Sequence, residues 1–478
     1  MPQNKQPKLV RISEKLQQNM QYVDELMGLE TNFDIIHRVI RLGDTDACMY
    51  LIDGFCKDEL MQKILQYLMD LKAEDFPKDA HEMSKIAIPY VEVDLDDTWE
   101  KILGALLSGV FVLLLDGYEK AVLIDARTYP TRGVEEPDKD KVLRGSKDGF
   151  VETVVFNTAL IRRRIRSTDL HMEMLNAGEN SRTDIVLCYM ESRVDPKLLT
   201  QIRERIRSIQ VDALAMNQES LAECLYQRKW YNPFPKFKYT ERPDTAAQVL
   251  EGNLVILVDN SPSAMILPTT IFDVVEEADD YYFPPVTGTY LRLTRFLIAL
   301  LTYFVTPTYL LLMNHRMWIP ENLEFIILKE DPNVPLILQF LLLELAIDGL
   351  RLAAVNTPNM LSTPLSVMAA LVLGEFSVES GWFSSEVMLA MAFVAIANYT
   401  QANYELGYAL KFMRILNLIL TQLFGIWGYI AGLIIFALAL LTNKTISGQS
   451  YLYPLIPFDR AKMRNRFLRG RMPGTRKM

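Results

Sequence analysis

The sequence is poor in the groups that most enzymes use. Its four histidines (His37, His81, His171 and His315) are scattered over 478 residues and never stand at metal-ligand spacing. That excludes a histidine-built zinc or catalytic centre. The four cysteines (Cys48, Cys56, Cys188 and Cys224) form no C-x-x-C pair and read as free thiols in a reducing cytosol. No GxxxxGK[ST], GxGxxG or GxSxG occurs, so phosphate cradles and nucleophile elbows lack their backbone chemistry. The opening MPQNKQPKLVRISEKLQQNM has no apolar core and is no secretory signal. These absences lead to the expectation of a non-enzymatic protein with no metal or other cofactor.

Charge is scarce only in part of the chain. Residues 289–442 carry 17 charged side chains in 154 positions, against 82 in residues 1–288. Signs separate too: residues 1–288 net −14, residues 289–442 net −3, and the last 36 residues net +8. An acidic domain repels phosphate backbones, so nucleic acid is not expected as a partner. A basic tail beside a membrane segment marks the cytoplasmic side.

The charged part alternates short apolar runs with helical patterns. ACMYLID (47–53) reads as a buried strand, and KDELMQKILQYLMDL (58–72) and TWEKILGALLSG (98–109) as helices. GVFVLLLDGYEKAVLIDA (109–126) is a hairpin turning at Asp116-Gly117. The order recurs: a strand DIVLCYM (184–190), helices at 195–210 and 244–252, and a hairpin NLVILVDNSPSAMILP (253–268). Asp46 and Asp184 lie 138 apart, and Asp116 and Asp259 lie 143 apart. Such offsets suggest a duplicated unit, although strand–helix–hairpin order is also common by itself. Residues 1–30 are polar and helical in pattern and read as a loosely attached arm. Between the units a helix carries Arg162, Arg163, Arg164 and Arg166. It reads as a solvated face or as an interface.

The sparse part reads as membrane. LRLTRFLIALLTYFVTPTYLLLM (291–313) spans roughly 34 Å as a helix, enough for a bilayer core. In VPLILQFLLLELAIDGLRLAAV (334–355), Glu344, Asp348 and Arg351 share one helical face. PLSVMAALVLGEFSVESGWF (364–383) carries Glu375, with no cation within a turn. Ionisable groups at membrane depth are costly, which makes Glu344, Asp348, Arg351 and Glu375 pore or intramembrane candidates. The alternative is that Asp348 and Arg351 simply neutralise each other. Residues 415–442 hold 28 uncharged positions, read either as one long helix or as a hairpin. Four to six crossings are expected.

The fold class expected is thus an α/β cytosolic domain of two lobes followed by an α-helical polytopic membrane domain. The boundaries are an arm at 1–40, lobes at 41–133 and 181–288, an Arg-rich linker at 134–180, the membrane part at 289–442 and the tail at 443–478.

Six collinear segments resemble the A subunits of bacterial spore germinant receptors, the GerA family. They are DGYEKAVLIDAR (116–127), VEEPDKDKVLRGSKDGFVETVVFNTALIRRR (134–164), ERPD (241–244), ANYTQANYELGYALKFMRI (397–415), FGIWGYIAGL (424–433) and SYLYPLIPF (450–458). Within that family, residues 268–293 most resemble a stage V sporulation branch. The resemblance implies a multi-pass protein of the inner spore membrane or bacterial cell membrane, with both termini cytoplasmic. It further implies a homo-oligomer, a pentamer by analogy, that conducts ions early in germination alongside membrane lipid and other germination membrane proteins. In this branch amplification of an ion-release signal is expected rather than direct nutrient sensing. The alternative is a non-conducting scaffold that recruits partners through its lobes. A secondary transporter is disfavoured, because no repeat shows in 289–442.

Family positions carry over residue by residue. Glu135, Glu136, Pro137, Arg144, Gly145, Asn157, Arg162, Arg163 and Arg164 fall in the inter-lobe motif and become oligomer-interface candidates. Asn403, Tyr404 and Glu405 fall in the Asn-Tyr-Glu membrane motif. Position 375 holds Glu where many family members carry an uncharged polar residue.

Overall fold

The computed structural model describes residues 11–129, 143–226, 231–250, 252–356, 367, 370–401 and 403–470. The chain divides into two compact units, Met1–Gln227 with Tyr239–Pro268 and Arg228–Lys238 with Thr269–Met478.

In the first unit the apolar runs become strands because their residues can be buried on both faces. The elements are α1 Leu16–Met27, β1 Ile35–Leu42, β2 Thr45–Ile52, α2 Asp58–Met69, α3 Ala80–Ile86, β3 Val93–Asp96, α4 Trp99–Leu107, β4 Phe111–Leu115 and β5 Ala121–Ile124. Their sheet runs β1-β2-β4-β5-β3, with antiparallel pairing throughout. Alternate residues of β2 go to opposite sides. Cys48, Tyr50 and Ile52 pack with α1 and α4, while Ala47 and Met49 pack with α2 and α3. Every residue of β4 and β5 is buried, as expected for central strands between two helical layers.

The second lobe repeats the plan. Its elements are α5 Val154–Arg164, β6 Leu170–Ala177, β7 Thr183–Met190, α6 Pro196–Arg207, α7 Asn217–Leu225, β8 Lys238–Thr240, α8 Pro243–Val249, β9 Leu254–Val258 and β10 Ala264–Leu267. Its sheet order, β6-β7-β9-β10-β8, is the first lobe's order again.

The repetition reaches single hydrogen bonds. Asp116 Oδ1 accepts from the Leu16 amide at 2.9 Å, and Asp259 Oδ1 accepts from the Val154 amide at 3.1 Å. In each lobe the hairpin-turn aspartate therefore satisfies an orphan amide at a helix start. The Gly117 and Asn260 amides donate to the carbonyls of Glu14 and Glu152 at 2.7 and 2.8 Å. Both residues have positive φ, 81° and 61°, the left-handed turn position that Gly and Asn accept most readily. A buried asparagine clamps the backbone six residues earlier in each lobe: Asn19 on Ser13, and Asn157 on Val151. The lobes are a structural duplication.

The stretch read as a loose arm is not loose. Leu16, Val23 and Met27 of α1 are buried beside Trp99, and β1 begins at Ile35, inside the segment assigned to the arm. Its polar composition hides one apolar stripe, Leu16, Val23 and Met27, at helical spacing. Residues after α1 join the second lobe: the Met172 amide donates to Asn32 Oδ1 at 2.7 Å, and the Phe33 amide to the Met172 carbonyl at 3.2 Å.

The second unit is helical. Its main helices are Pro285–Asn314, Leu336–Asn356, Ser385–Tyr399, Tyr404–Phe424 and Ile426–Leu441, with a π-helical turn at Leu371–Phe376 and a tail helix at Arg460–Phe467. Among the described residues one helix, Pro285–Asn314, is long and apolar enough to cross a membrane; Ser385–Tyr399 and Ile426–Leu441 are apolar but shorter. Contacts fix the helix directions. Arg414 bonds Thr302, and Leu418 shares a cluster with Leu310, so Pro285–Asn314 and Tyr404–Phe424 run the same way. Tyr309 meets Phe340 while Glu344 lies at the level of Thr302 through Arg414, so Leu336–Asn356 runs the opposite way.

The uncharged stretch 415–442 is a hairpin. Helix Tyr404–Phe424 starts well before it, and Gly425 breaks the run with φ 56° and ψ −133°. A Cβ on Gly428 would come within 1.8 Å of the Leu420 carbonyl, and one on Gly432 within 2.2 Å of Asn417. These glycines let the two helices approach closely.

Candidate functional site: buried charge clusters of the helical unit

The helical unit buries charge and exposes apolar side chains. Arg414 and Asn417 are fully enclosed, whereas Leu389, Trp427 and Leu423 are each at least two-thirds exposed.

The enclosed charges form a quartet. Glu344 and Asp348 lie one turn apart on Leu336–Asn356, and Lys411 and Arg414 lie three apart on Tyr404–Phe424. Arg414 Nε donates to Glu344 Oε1 at 2.9 Å, and a second guanidinium nitrogen reaches the same oxygen. Its third nitrogen donates to the Thr302 carbonyl at 2.9 Å. Lys411 Nζ stands 3.5 Å from Glu344 Oε2, donates to the Glu344 carbonyl at 3.2 Å, and pairs with Asp348. Two acids meet two bases, so the quartet is neutral, as buried ionic groups must be to persist. Next to it Asn417 Nδ2 donates to Tyr303 Oη at 3.1 Å, and that hydroxyl donates to the Gly432 carbonyl at 3.1 Å.

The alternative drawn from the sequence has Asp348 and Arg351, three apart on one helical face, neutralise each other. The structure instead gives Asp348 to Lys411 of another helix. The Arg351 guanidinium lies over the rings of Tyr399 and Tyr408 at 5.1 and 5.5 Å. Lys411 and Arg414 carry no local signal, because the charge pattern within one helix reveals only near neighbours. The available signal was the match between a spacing of four on one helix and three on another. Glu375 stands apart from the quartet, exposed on the π-helical turn.

A second cluster joins the start of Pro285–Asn314 to the tail. Arg292 donates to Glu276 at 2.7 Å and Asp280 at 3.2 Å, and Arg295 pairs with Glu277 at 2.6 Å and with Asp280. From the tail helix, Arg466 reaches Glu276 at 2.8 Å and Asp273 at 2.5 Å. Phe467 packs against Phe272 and Phe296 with centroids 6.0 and 5.2 Å away. Burial works against charge on Glu276, but Arg292, Arg466 and Lys238 outweigh it and hold the carboxyl below its ordinary range. The basic tail is thus partly consumed by folding. Its sign alone read as a mark of sidedness.

The Asn-Tyr-Glu motif starts a helix. Asn403 Oδ1 accepts from the Leu406 amide at 3.0 Å as N-cap, Glu405 sits in the first turn, and Tyr404 is half-exposed.

In the first unit the arginine run divides by role. Arg162 is completely buried and grips both oxygens of Asp34 at 2.8 and 2.9 Å, tying α5 to the first lobe. Arg164 bonds the Leu160 carbonyl at 3.0 Å and pairs with Asp148. Burial disfavours charge on Asp148, but hydrogen bonds from Arg164 and Ser146 prevail and lower its pKa. Asn157 spends its amide on Val151. Arg163 is exposed, 4.6 Å over the Tyr129 ring, and Arg144 and Gly145 are exposed as well. Glu135, Glu136 and Pro137 lie outside the described residues.

The model of the family described as Bacillus/Clostridium GerA spore germination protein matches residues 21–478. The chain belongs to the GerA family. This GerA chain is 37% identical to stage V sporulation protein AF of Bacillus subtilis, over all of this chain and 96% of that protein. It is 30% identical to the uncharacterized membrane protein YfkQ of the same organism, over 97% of this chain and 92% of that one. A solved N-terminal domain, from the A subunit of the Bacillus megaterium germinant receptor GerK3, is 27% identical. It covers 54% of this GerA chain and 97% of its own length at a TM-score of 0.43.

Proposed function

We propose that this GerA chain is an integral membrane subunit of a spore germination complex that forms or amplifies an oligomeric ion channel. The observation that carries the membrane reading is the inside-out helical unit. Water would draw Arg414, Lys411 and Glu344 outward and drive Trp427 and Leu389 inward, whereas lipid favours the reverse. The alternating helix directions fit a multi-pass path in the inner spore membrane that starts and ends on the cytoplasmic side. The family relation supports germination as its setting, and germination membrane proteins as its partners.

Ion conduction is assigned to an oligomer axis, a pentameric one by analogy. Glu344 and Asp348 are already paired within the chain, so they are poor candidates for an open pore. Glu375 is the exposed member of the four, and five copies would make a carboxylate ring that favours cations. Arg144 and Arg163 are the exposed members of the arginine motif and suit a contact between protomers. In spores carrying Glu375→Gln, cation release during germination is expected to fall severalfold while the assembled oligomer persists. Unchanged release and unchanged ion preference would remove Glu375 from the pore. A non-conducting scaffold is the second reading. The mutual satisfaction of the quartet, which leaves none of its four charges free to line a pore, favours it.

A further inference from the structure

The two lobes keep register closely until one point. Helices α2 and α6 start at Asp58 and Pro196, 138 apart, and α3 and α7 at Ala80 and Asn217, 137 apart. The next pair, β3 and β8, starts at Val93 and Lys238, 145 apart, and the later hairpins keep 143. Six of the eight extra residues lie in one connection, and the other two lengthen α7. Six residues join α3 to β3 in the first lobe, whereas twelve join α7 to β8 in the second.

That longer connection belongs to the helical unit, although the chain on both sides of it belongs to the lobes. Residues 231–238 read YNPFPKFK, and Pro233 and Pro235 favour an extended backbone. In an extended segment, alternate residues share a face. Despite a bend at Lys236-Phe237, the alternate residues Asn232, Phe234, Lys236 and Lys238 all meet other residues of the helical unit. Asn232 Nδ2 donates to the Ala439 carbonyl at 3.0 Å. Phe234 is buried against Phe436 and Tyr451, with centroids 5.9 and 6.4 Å away. Lys236 Nζ bonds the Asn443 side chain and donates to the Lys444 carbonyl at 2.6 Å. Lys238 Nζ donates to the Glu276 carbonyl at 2.6 Å. The first of these bonds meets a carbonyl in the last turn of Ile426–Leu441, a group that a helix leaves orphaned, and the third meets the chain just beyond it.

We infer that residues 231–238 are a transmission strap, an insertion in the second lobe that carries its conformational state to the end of the last helical hairpin. Its consequence for conduction rests on the channel reading above, but the coupling itself is measurable without current. The test uses the full chain in lipid nanodiscs and hydrogen exchange at the amides of Thr445 and Tyr451, which bond the carbonyls of Gln449 and Asn443. Leu221→Ala opens a cavity in α7 of the second lobe, where Leu221 is fully buried. It is expected to speed exchange at both amides about tenfold when the strap is seated. With Phe234→Ala added, that extra acceleration is expected to vanish. Lys236→Met, which keeps the chain length and removes the ammonium, provides the same comparison if Phe234→Ala misfolds. Equal transmission with the strap altered, or no effect of Leu221→Ala on these amides, overturns the inference. If the wild-type chain carries no current in a bilayer, the channel reading fails while the exchange result still decides the strap.

Discussion

Arg414→Met is expected to cost the helical unit about 3–5 kcal/mol, because it leaves the enclosed Glu344 carboxylate with only Lys411 at 3.5 Å. It also removes the donor to the Thr302 carbonyl. In detergent the variant should lose its monodisperse peak at a clearly lower temperature than the parent. The double variant Glu344→Leu/Arg414→Met retains the Lys411–Asp348 pair and restores neutrality, so it should recover most of the loss. Arg414→Lys keeps the charge but not the forked geometry, and should fall between them. A single variant as stable as the parent would mean that the quartet does not organise the bundle.

The second large effect is expected in the lobes. Arg162→Met strips Asp34 of its buried partner, at a cost of about 3–5 kcal/mol. For a unit of this size that lowers the melting temperature by roughly 10 °C. The pair joins α5 of one lobe to the segment before β1 of the other, so hydrogen exchange should rise in both lobes together. In a double-mutant cycle with Asp34→Asn, the coupling should exceed about 2 kcal/mol. Additive effects would show that Arg162 acts through packing alone. Arg163→Met, at the exposed neighbour, should leave the melting temperature nearly unchanged.

Much of the first unit was legible because its signals are local. Apolar runs bounded by Asp116-Gly117 and by residues 259–262 gave both hairpins, and the offsets of 138 and 143 anticipated the repeated sheet order. The helical pattern of α1 was legible but its burial was not, because its stripe of Leu16, Val23 and Met27 is thin among polar residues. The clusters escaped for a different reason. Arg414 and Glu344 lie 70 residues apart, and Arg466 and Glu276 lie 190 apart. Charge pairing over such distances depends on helix packing, which no local periodicity encodes. The glycines of 415–442 left a long helix and a hairpin equally open, and the backbone at Gly425 decided for the hairpin.

The measurement closest to the central claim is the conductance of the purified, assembled protein in a planar bilayer. The channel reading predicts discrete, cation-preferring openings whose preference weakens with Glu375→Gln. A silent bilayer containing the correctly assembled oligomer would contradict it and favour the scaffold.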